Sequence, residues 1–238
     1  MAYADSQKNL KLFMSLTDAA SNLAEFQRVQ VHRDVVKALQ TLAGGAAEAG
    51  FDFAVASGFR SVERQCQIWN AKARGSRPVL DDTGIPLDVM NLDPEILVFA
   101  ILRWSALPGA SRHHWGTDVD VYDRSALPSG QSLQLTLAEC HGPFAPFHQW
   151  LDVELARPET PFFRPYMSPA GGVAPEPWHL SFAPCAAKYQ RSLGKDELFE
   201  LVLTLDIALK DEVIRHFDEI FERFVLVSPD LYPLNWPL

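Results

Sequence analysis

Two short segments concentrate the residue types that hold metals and move protons. One is Ser111-Arg112-His113-His114-Trp115-Gly116-Thr117-Asp118-Val119-Asp120, the other Glu176-Pro177-Trp178-His179. Together they offer two imidazoles and a carboxylate, enough for a three-ligand zinc site, and a further carboxylate three residues before the last histidine. A catalytic zinc requires that layout: three protein ligands, one open position and a nearby base. A His113–Asp120 pair across a glycine turn is by itself equally a surface histidine and a capping aspartate. His179 adds the third donor. Pro175 and Pro177 push the residues before them into extended backbone, so Glu176 and His179 do not form the helical metal motif with two histidines a turn apart. They lie on an extended segment entering a strand, and two strands carrying ligands on one sheet face can converge on one ion. On residue type alone His114 competes with His113. His32, His141, His148 and His216 have no evident ligand partners.

These residues need elements to hold them. From Thr117 to Tyr122 the chain alternates, with Val119 and Val121 on one face and Asp118 and Asp120 on the other. Phe51 to Ala56 reads as a short buried strand and His179 to Phe182 as another. Helical spacing of Val35, Val36, Leu39, Leu42 and Ala46 predicts a helix over about 31–48, stopped by Gly50. Ser61 predicts a cap for a helix to about Ala73, and Asp93-Pro94-Glu95 starts another that ends before Pro108-Gly109. Residues 74–92 read as a loop. Residues 131–137 are expected to be a strand and 144–156 a helix. Residues 157–177, with six prolines, are expected to be a long loop. After Pro184 helices are expected over 185–192 and 195–224. The expected class is α+β: a small, mostly antiparallel sheet carrying the zinc site, flanking helices and a helical C-terminal extension. The expected division is an N-terminal helical extension over 1–29, a core over 30–184 and a helical extension over 185–238. The apolar stripes of that last region are expected to pack on the core; a homodimer through these helices is the alternative.

The chain has 238 residues and a formal net charge of -9. That balance argues against a nucleic-acid partner, because phosphate binding wants a basic face. Three widely spaced cysteines, Cys66, Cys140 and Cys185, form no Cys-x-x-Cys pair, so they are read as reduced thiols rather than a disulfide framework. The N-terminal segment has no apolar stretch followed by a small-residue cleavage site, and no apolar run is long enough to span a membrane. A cytoplasmic protein is expected, or a periplasmic one if the N-terminus given is not the natural one.

The pattern Ser-x-His-x-x-Gly-x-x-x-Asp followed by Glu-x-Trp-His resembles the zinc D-alanyl peptidases typified by VanY carboxypeptidases and VanX dipeptidases, which share their fold with the Hedgehog signalling domain. Ser57-Gly-Phe-Arg-Ser61 and Gln65 add to the resemblance, which covers about residues 51–184. It implies one Zn²⁺ per chain held by His113, Asp120 and His179. It implies Glu176 as general base and then acid to the leaving amine, and Arg60 facing the scissile carbonyl. Ser111 and Gln65 would hold the substrate's terminal carboxylate. Asp118 departs from the family, which usually has a small apolar residue there. It is expected to point toward the cleft, as a partner of Arg60 or of a ligand histidine, or as a contact for a cationic substrate. The implied reaction is hydrolysis releasing a C-terminal D-alanine from a peptidoglycan stem peptide or muropeptide. The expected branch is an LD-carboxypeptidase trimming tetrapeptides in cell-wall recycling. The alternatives are a DD-carboxypeptidase on pentapeptides, a D-Ala-D-Ala dipeptidase, and a non-catalytic zinc-containing peptidoglycan-binding module.

Overall fold

The computed structural model describes residues 15–167 and 172–238. Residues 15–21 are helical, and two strands follow, β1 (Leu23–Phe26) and β2 (Val29–His32), paired antiparallel with Leu23 opposite His32. The helical extension expected over 1–29 is therefore corrected within 23–29, where a hairpin begins; its first 14 residues lie outside the described residues. The hairpin turn is Gln27-Arg28, both at positive φ (49° and 67°). Two-residue hairpin loops want this geometry, but neither residue carries the usual glycine or asparagine signal. Gln27 compensates with its side chain: Nε2 donates to Phe53 O at 2.9 Å and Oε1 accepts from Val55 N at 3.0 Å.

A single 3-10 turn at Arg33–Val35 leads into α1 (Val36–Glu48). The helix thus starts later than the expected residue 31, because 29–32 is spent on β2. Then come β3 (Phe53–Ser57), α2 (Val62–Ala73), α3 (Pro94–Trp104), β4 (Asp118–Asp123), α4 (Leu137–His141), α5 (Ala145–Leu155), β5 (Phe162–Phe163) and β6 (His179–Phe182). Two caps form as the sequence indicates: Ser61 Oγ accepts from Arg64 N, and an Asp93 carboxylate oxygen from Glu95 N. The expected strand over 131–137 is absent. Leu135 sits at φ 55°, which no extended strand tolerates, and Thr136 with Glu139 forms a capping box that starts α4 instead.

The main sheet has the order β3-β4-β6-β5, all antiparallel. Its register decides the site: Asp120 lies directly opposite His179, and Asp118 opposite Ser181. Val119 and Val121 point to the other face, fully buried with Leu39, Phe147, Leu151 and Leu180 between the sheet and helices α1 and α5.

The C-terminal region forms α6 (Ala183–Ser192), α7 (Lys195–Thr204), α8 (Lys210–Arg215) and α9 (Phe217–Ile220), the last running into a π-type turn at Phe221–Val225. The continuous helix expected over 195–224 is thus broken. Leu205 is extended and Leu209 left-handed, at φ 61°. The break is held from outside: Asn70 donates to Asp206 O and accepts from Ala208 N, and Trp69 Nε1 donates to Ala208 O. Leu198, Val202, Val213, Phe217 and Ile220 are buried in one cluster with Val98, Ile101 and Leu102 of α3. No helix among the described residues is long and apolar enough to cross a membrane.

Candidate functional site

His113 stands on a 3-10 turn, Arg112–Trp115, that ends at Gly116 with φ 67°. That left-handed conformation suits glycine. A Cβ at Gly116 would also lie 2.8 Å from His32 N, since His32 N donates to Gly116 O from β2. The turn leads straight into β4, where Asp120 faces its cross-strand neighbour His179. Residues directly opposite in an antiparallel pair share a face, so two of the three donors meet through register alone.

One donor atom each from His113, Asp120 and His179 lie within 4.8 Å of one another, and all three residues are buried. His113 Nε2 is 3.4 Å from Asp120 Oδ2, and His179 Nδ1 is 3.3 Å from Asp120 Oδ1. The far side of each imidazole is fixed. His113 Nδ1 is 2.8 Å from Gly58 O; a carbonyl only accepts, so Nδ1 carries the proton and Nε2 keeps its lone pair. His179 Nε2 is 3.0 Å from Asp118 Oδ1, which puts the proton there and leaves Nδ1 free. Acceptors orienting the outer ring nitrogen are what ligand histidines require.

The cluster fits a divalent cation. Lone pairs of two imidazoles face one carboxylate, and Asp120 Oδ1 is buried with no hydrogen-bond partner. Burial alone would favour neutral His179, yet the surrounding carboxylates of Asp118, Asp120 and Glu176 hold its pKa well above the ordinary value, so the pocket favours positive charge here. Nitrogen donors with one carboxylate suit zinc.

Glu176 arrives on the extended segment before β6, its amide donating to Tyr166 O at 2.8 Å. Its Oε2 is 3.4 Å from His179 Nδ1, and its side chain is 15% exposed, so it stands at the open edge of the donors. Arg60 follows β3. Its Nη2 donates to Ser57 Oγ at 3.1 Å and its Nη1 to Gln65 Oε1 at 3.0 Å. Burial lowers the Arg60 pKa, while the charges of Asp120 and Glu176 oppose that shift; the guanidinium stands in the field of the site.

Other expected residues are placed differently. Gln65 is fully buried, with Oε1 taken by Arg60 and Nε2 donating to Ala106 O at 2.7 Å and Ser105 Oγ at 3.2 Å. Its amide is spent inside the protein and braces Arg60 rather than holding substrate. Asp118 is fully buried as well, and it contacts His179 and Arg112, not Arg60 or the cleft; a substrate-binding role is corrected to a contact behind the ligand histidine. Although burial would raise its pKa, the Arg112 guanidinium and the His179 bond hold it well below the usual carboxylate range. Ser111 is buried at the head of the 3-10 turn, with no side-chain capping bond. His114 is not among the metal donors: its Nδ1 donates to Arg60 O at 2.5 Å and its Nε2 accepts from Gly109 N at 3.1 Å. Burial lowers its pKa to about 4, and the neutral ring ties the Arg60 backbone to the turn.

Sequence reasoning missed Arg112, Gly58 and Lys72. Arg112, 1% exposed, sits over the Trp115 ring at 4.7 Å; nothing local marks an arginine as buried. Gly58 acts through its carbonyl, which every residue has. Lys72, in the last turn of α2, reaches toward Trp104 O at 3.4 Å, and burial lowers its pKa to about 8 against the pull of Glu176. Its position on the face of Gln65, two turns on, was a usable signal.

The chain is similar to known proteins. A family model described as "VanY: D-alanyl-D-alanine carboxypeptidase" matches residues 28–185. An uncharacterized protein of Haemophilus influenzae is 35% identical over 124 residues, covering 50% of this chain and 93% of its own length. A second uncharacterized protein of that organism is 51% identical over 72 residues, 30% of this chain and 49% of its own. Among solved structures, that of VanYB in complex with D-Alanine-D-Alanine is similar in fold, with a TM-score of 0.51 and 23% identity, covering 76% of this chain and 88% of that one.

Proposed function

Because the chain belongs to the VanY D-alanyl-D-alanine carboxypeptidase family, we propose that its site hydrolyses the bond before a C-terminal D-alanine of peptidoglycan stem peptides, with muropeptide tetrapeptides as the preferred substrate. The observation that carries the chemistry is the Glu176 carboxylate at 3.4 Å from His179 Nδ1. It is a base at the edge of a three-donor metal group.

Zinc held by His113, Asp120 and His179 supplies Lewis acidity toward a water and a peptide carbonyl. Glu176 takes the proton of the attacking water and returns it to the departing amine, the usual work of a positioned carboxylate. Arg60, held on both sides by Ser57 and Gln65, presents fixed positive charge to the oxygen on which negative charge develops. For the terminal carboxylate of the substrate we assign Ser111, at the head of the turn that carries His113, and Lys72, whose charge is felt by Glu176.

The preference for tetrapeptides is supported by the three free thiols, Cys66, Cys140 and Cys185, which suit a reducing compartment. In the cytoplasm a D-alanyl carboxypeptidase would meet recycled muropeptides and wall precursors. Trimming the former is useful and trimming pentapeptide precursors is harmful.

The test is to incubate zinc-loaded protein with tetrapeptide, pentapeptide and D-Ala-D-Ala and follow D-alanine release by mass spectrometry, with Glu176→Ala as control. Release from tetrapeptide alone supports the LD reading. Preference for pentapeptide or dipeptide moves the enzyme to the DD branch. No turnover with zinc bound overturns the hydrolytic reading in favour of a binding module.

A further inference from the structure

We propose that a buried polar network running from the C-terminal segment to Asp118 is a positioning device for the ligand His179, so that docking of that segment is read out as metal affinity. The inference rests on the metal site, not on the identity of the substrate.

The network is continuous in hydrogen-bond distances. His179 Nε2 donates to Asp118 Oδ1 at 3.0 Å. The same oxygen accepts from Arg112 Nε at 2.8 Å, and Oδ2 accepts from Thr117 Oγ1 at 2.7 Å and Ser181 Oγ at 3.2 Å. Arg112 Nη1 donates to Gln190 Oε1 at 2.6 Å and Nη2 to Ser181 Oγ at 2.5 Å, with Tyr232 Oη at 3.3 Å. The C-terminal segment supplies the far end: Tyr232 Oη donates to Gln190 Oε1 at 2.8 Å, and Gln190 Nε2 donates to Val227 O at 2.7 Å. The Tyr232 ring packs on Phe163 of β5, centroids 4.4 Å apart.

Each link limits the next. The His179 ring turns about its Cβ–Cγ bond, and an acceptor at Nε2 selects which nitrogen faces the metal. Asp118 is that acceptor, and because it is fully buried no water can take its place. A buried carboxylate in turn needs a compensating charge, and Arg112 supplies it. The guanidinium is planar with its donors in a fixed fork, so the partners on its far edge, Gln190 and Tyr232, set the angle at which its Nε meets Asp118. None of Asp118, Arg112, Gln190 or Tyr232 reaches the open edge where Glu176 stands. Their effect is therefore on the ligand and not on the reacting groups.

Zinc affinity is measured by competition with a chromophoric chelator, and ligand geometry by the visible spectrum of the cobalt-substituted protein. The variants are Asp118→Asn, Tyr232→Phe and their double, with Met90→Ala on the exposed surface as control. Circular dichroism checks that each is folded. Asp118→Asn is expected to weaken zinc binding by about 10–100-fold and to alter the cobalt spectrum. Tyr232→Phe is expected to weaken binding less and in the same direction, and the double variant no more than Asp118→Asn alone. Wild-type affinity and spectrum in folded Tyr232→Phe would overturn the proposal, and this variant decides the matter if Asp118→Asn does not fold. Additive losses in the double variant would also overturn it, because Tyr232 would then act independently of Asp118. Failure of D-alanine release with intact zinc binding would sink the proposed reaction and leave this test standing.

Discussion

The guanidinium of Arg60 donates to Gln65 Oε1 at 3.0 Å, and the Gln65 amide is anchored in turn on Ala106 O at 2.7 Å. A residue expected at the substrate thus stands one step behind it. Gln65→Ala should lower kcat by up to about 100-fold, the cost of a misplaced group, with little change in KM. Arg60→Ala should lower it by about 100–1,000-fold, as for loss of an oxyanion donor. Steady-state kinetics on a stem peptide would separate the two, and a rise in KM alone for Gln65→Ala would return that residue to the substrate pocket.

Glu176→Gln keeps the size of the side chain and removes the base. Turnover should fall by about 100–10,000-fold, while metal analysis of the purified variant still finds zinc at wild-type stoichiometry, since Glu176 is outside the donor trio. Loss of the metal would instead make Glu176 a ligand.

Gly58 holds His113 through its carbonyl, and a Cβ there would collide with the Gln30 carbonyl and meet the Val29 side chain at 2.8 Å. Strand β2 would have to move. Gly58→Ala is expected to destabilise the fold by about 1–3 kcal/mol, as overpacking does, and to weaken zinc binding as well. Thermal melts with and without chelator would show both effects, and an unchanged zinc affinity would mean that β2 does not support His113.

His148 on α5 is buried, its Nε2 has no hydrogen-bond partner, and Arg164 Nη2 lies 3.5 Å from its Nδ1. Burial, then the Arg164 charge, lowers its pKa to about 4 from 6.5. The unfolded chain takes up the proton near pH 6.5 and the folded one only near pH 4, so stability falls as pH drops through that window and levels off below it. The loss for this one group reaches about 3 kcal/mol. His148→Leu should flatten the dependence of urea midpoints on pH between 6.5 and 4; an unchanged slope would assign the acid sensitivity elsewhere.

Zinc binds the assembled donors and not the unfolded chain, so the melting temperature should rise with zinc concentration. At a free concentration 100 times Kd the added stability is about 2.7 kcal/mol. His179→Ala should abolish the dependence, and its persistence would place the metal elsewhere.

What could be read in the sequence followed local rules. The alternation of Val119 and Val121 against Asp118 and Asp120, the cap at Ser61 and the proline start of α3 are fixed by neighbours a few residues away. The β1–β2 hairpin was hidden because Gln27 and Arg28 adopt positive φ without glycine, stabilised by bonds to β3 that no local pattern announces. The break after α7 was hidden likewise, since Asn70 and Trp69 of α2 hold it. The strand wrongly expected over 131–137 had its counter-signal in plain view: Thr136 and Glu139 are a capping box. At the site, the donors were legible from their motif. Their supports were not, because Arg112, Gln190 and Tyr232 meet only through the tertiary fold.

The bond between Arg112 and Tyr232 spans 120 residues of chain, against 61 between Asp118 and His179. Long loops close late, because their entropy is lost before any contact repays it. Strands β4 and β6 can pair first and set Asp120 opposite His179, giving a rough cluster that already attracts metal. The last alignment of His179 waits for Tyr232, which a ribosome makes after every ligand. On the proposed positioning role, metal capture in this chain is a matter of sequence in time as well as in space: an early, loose grip tightens only when the segment around Tyr232 has docked.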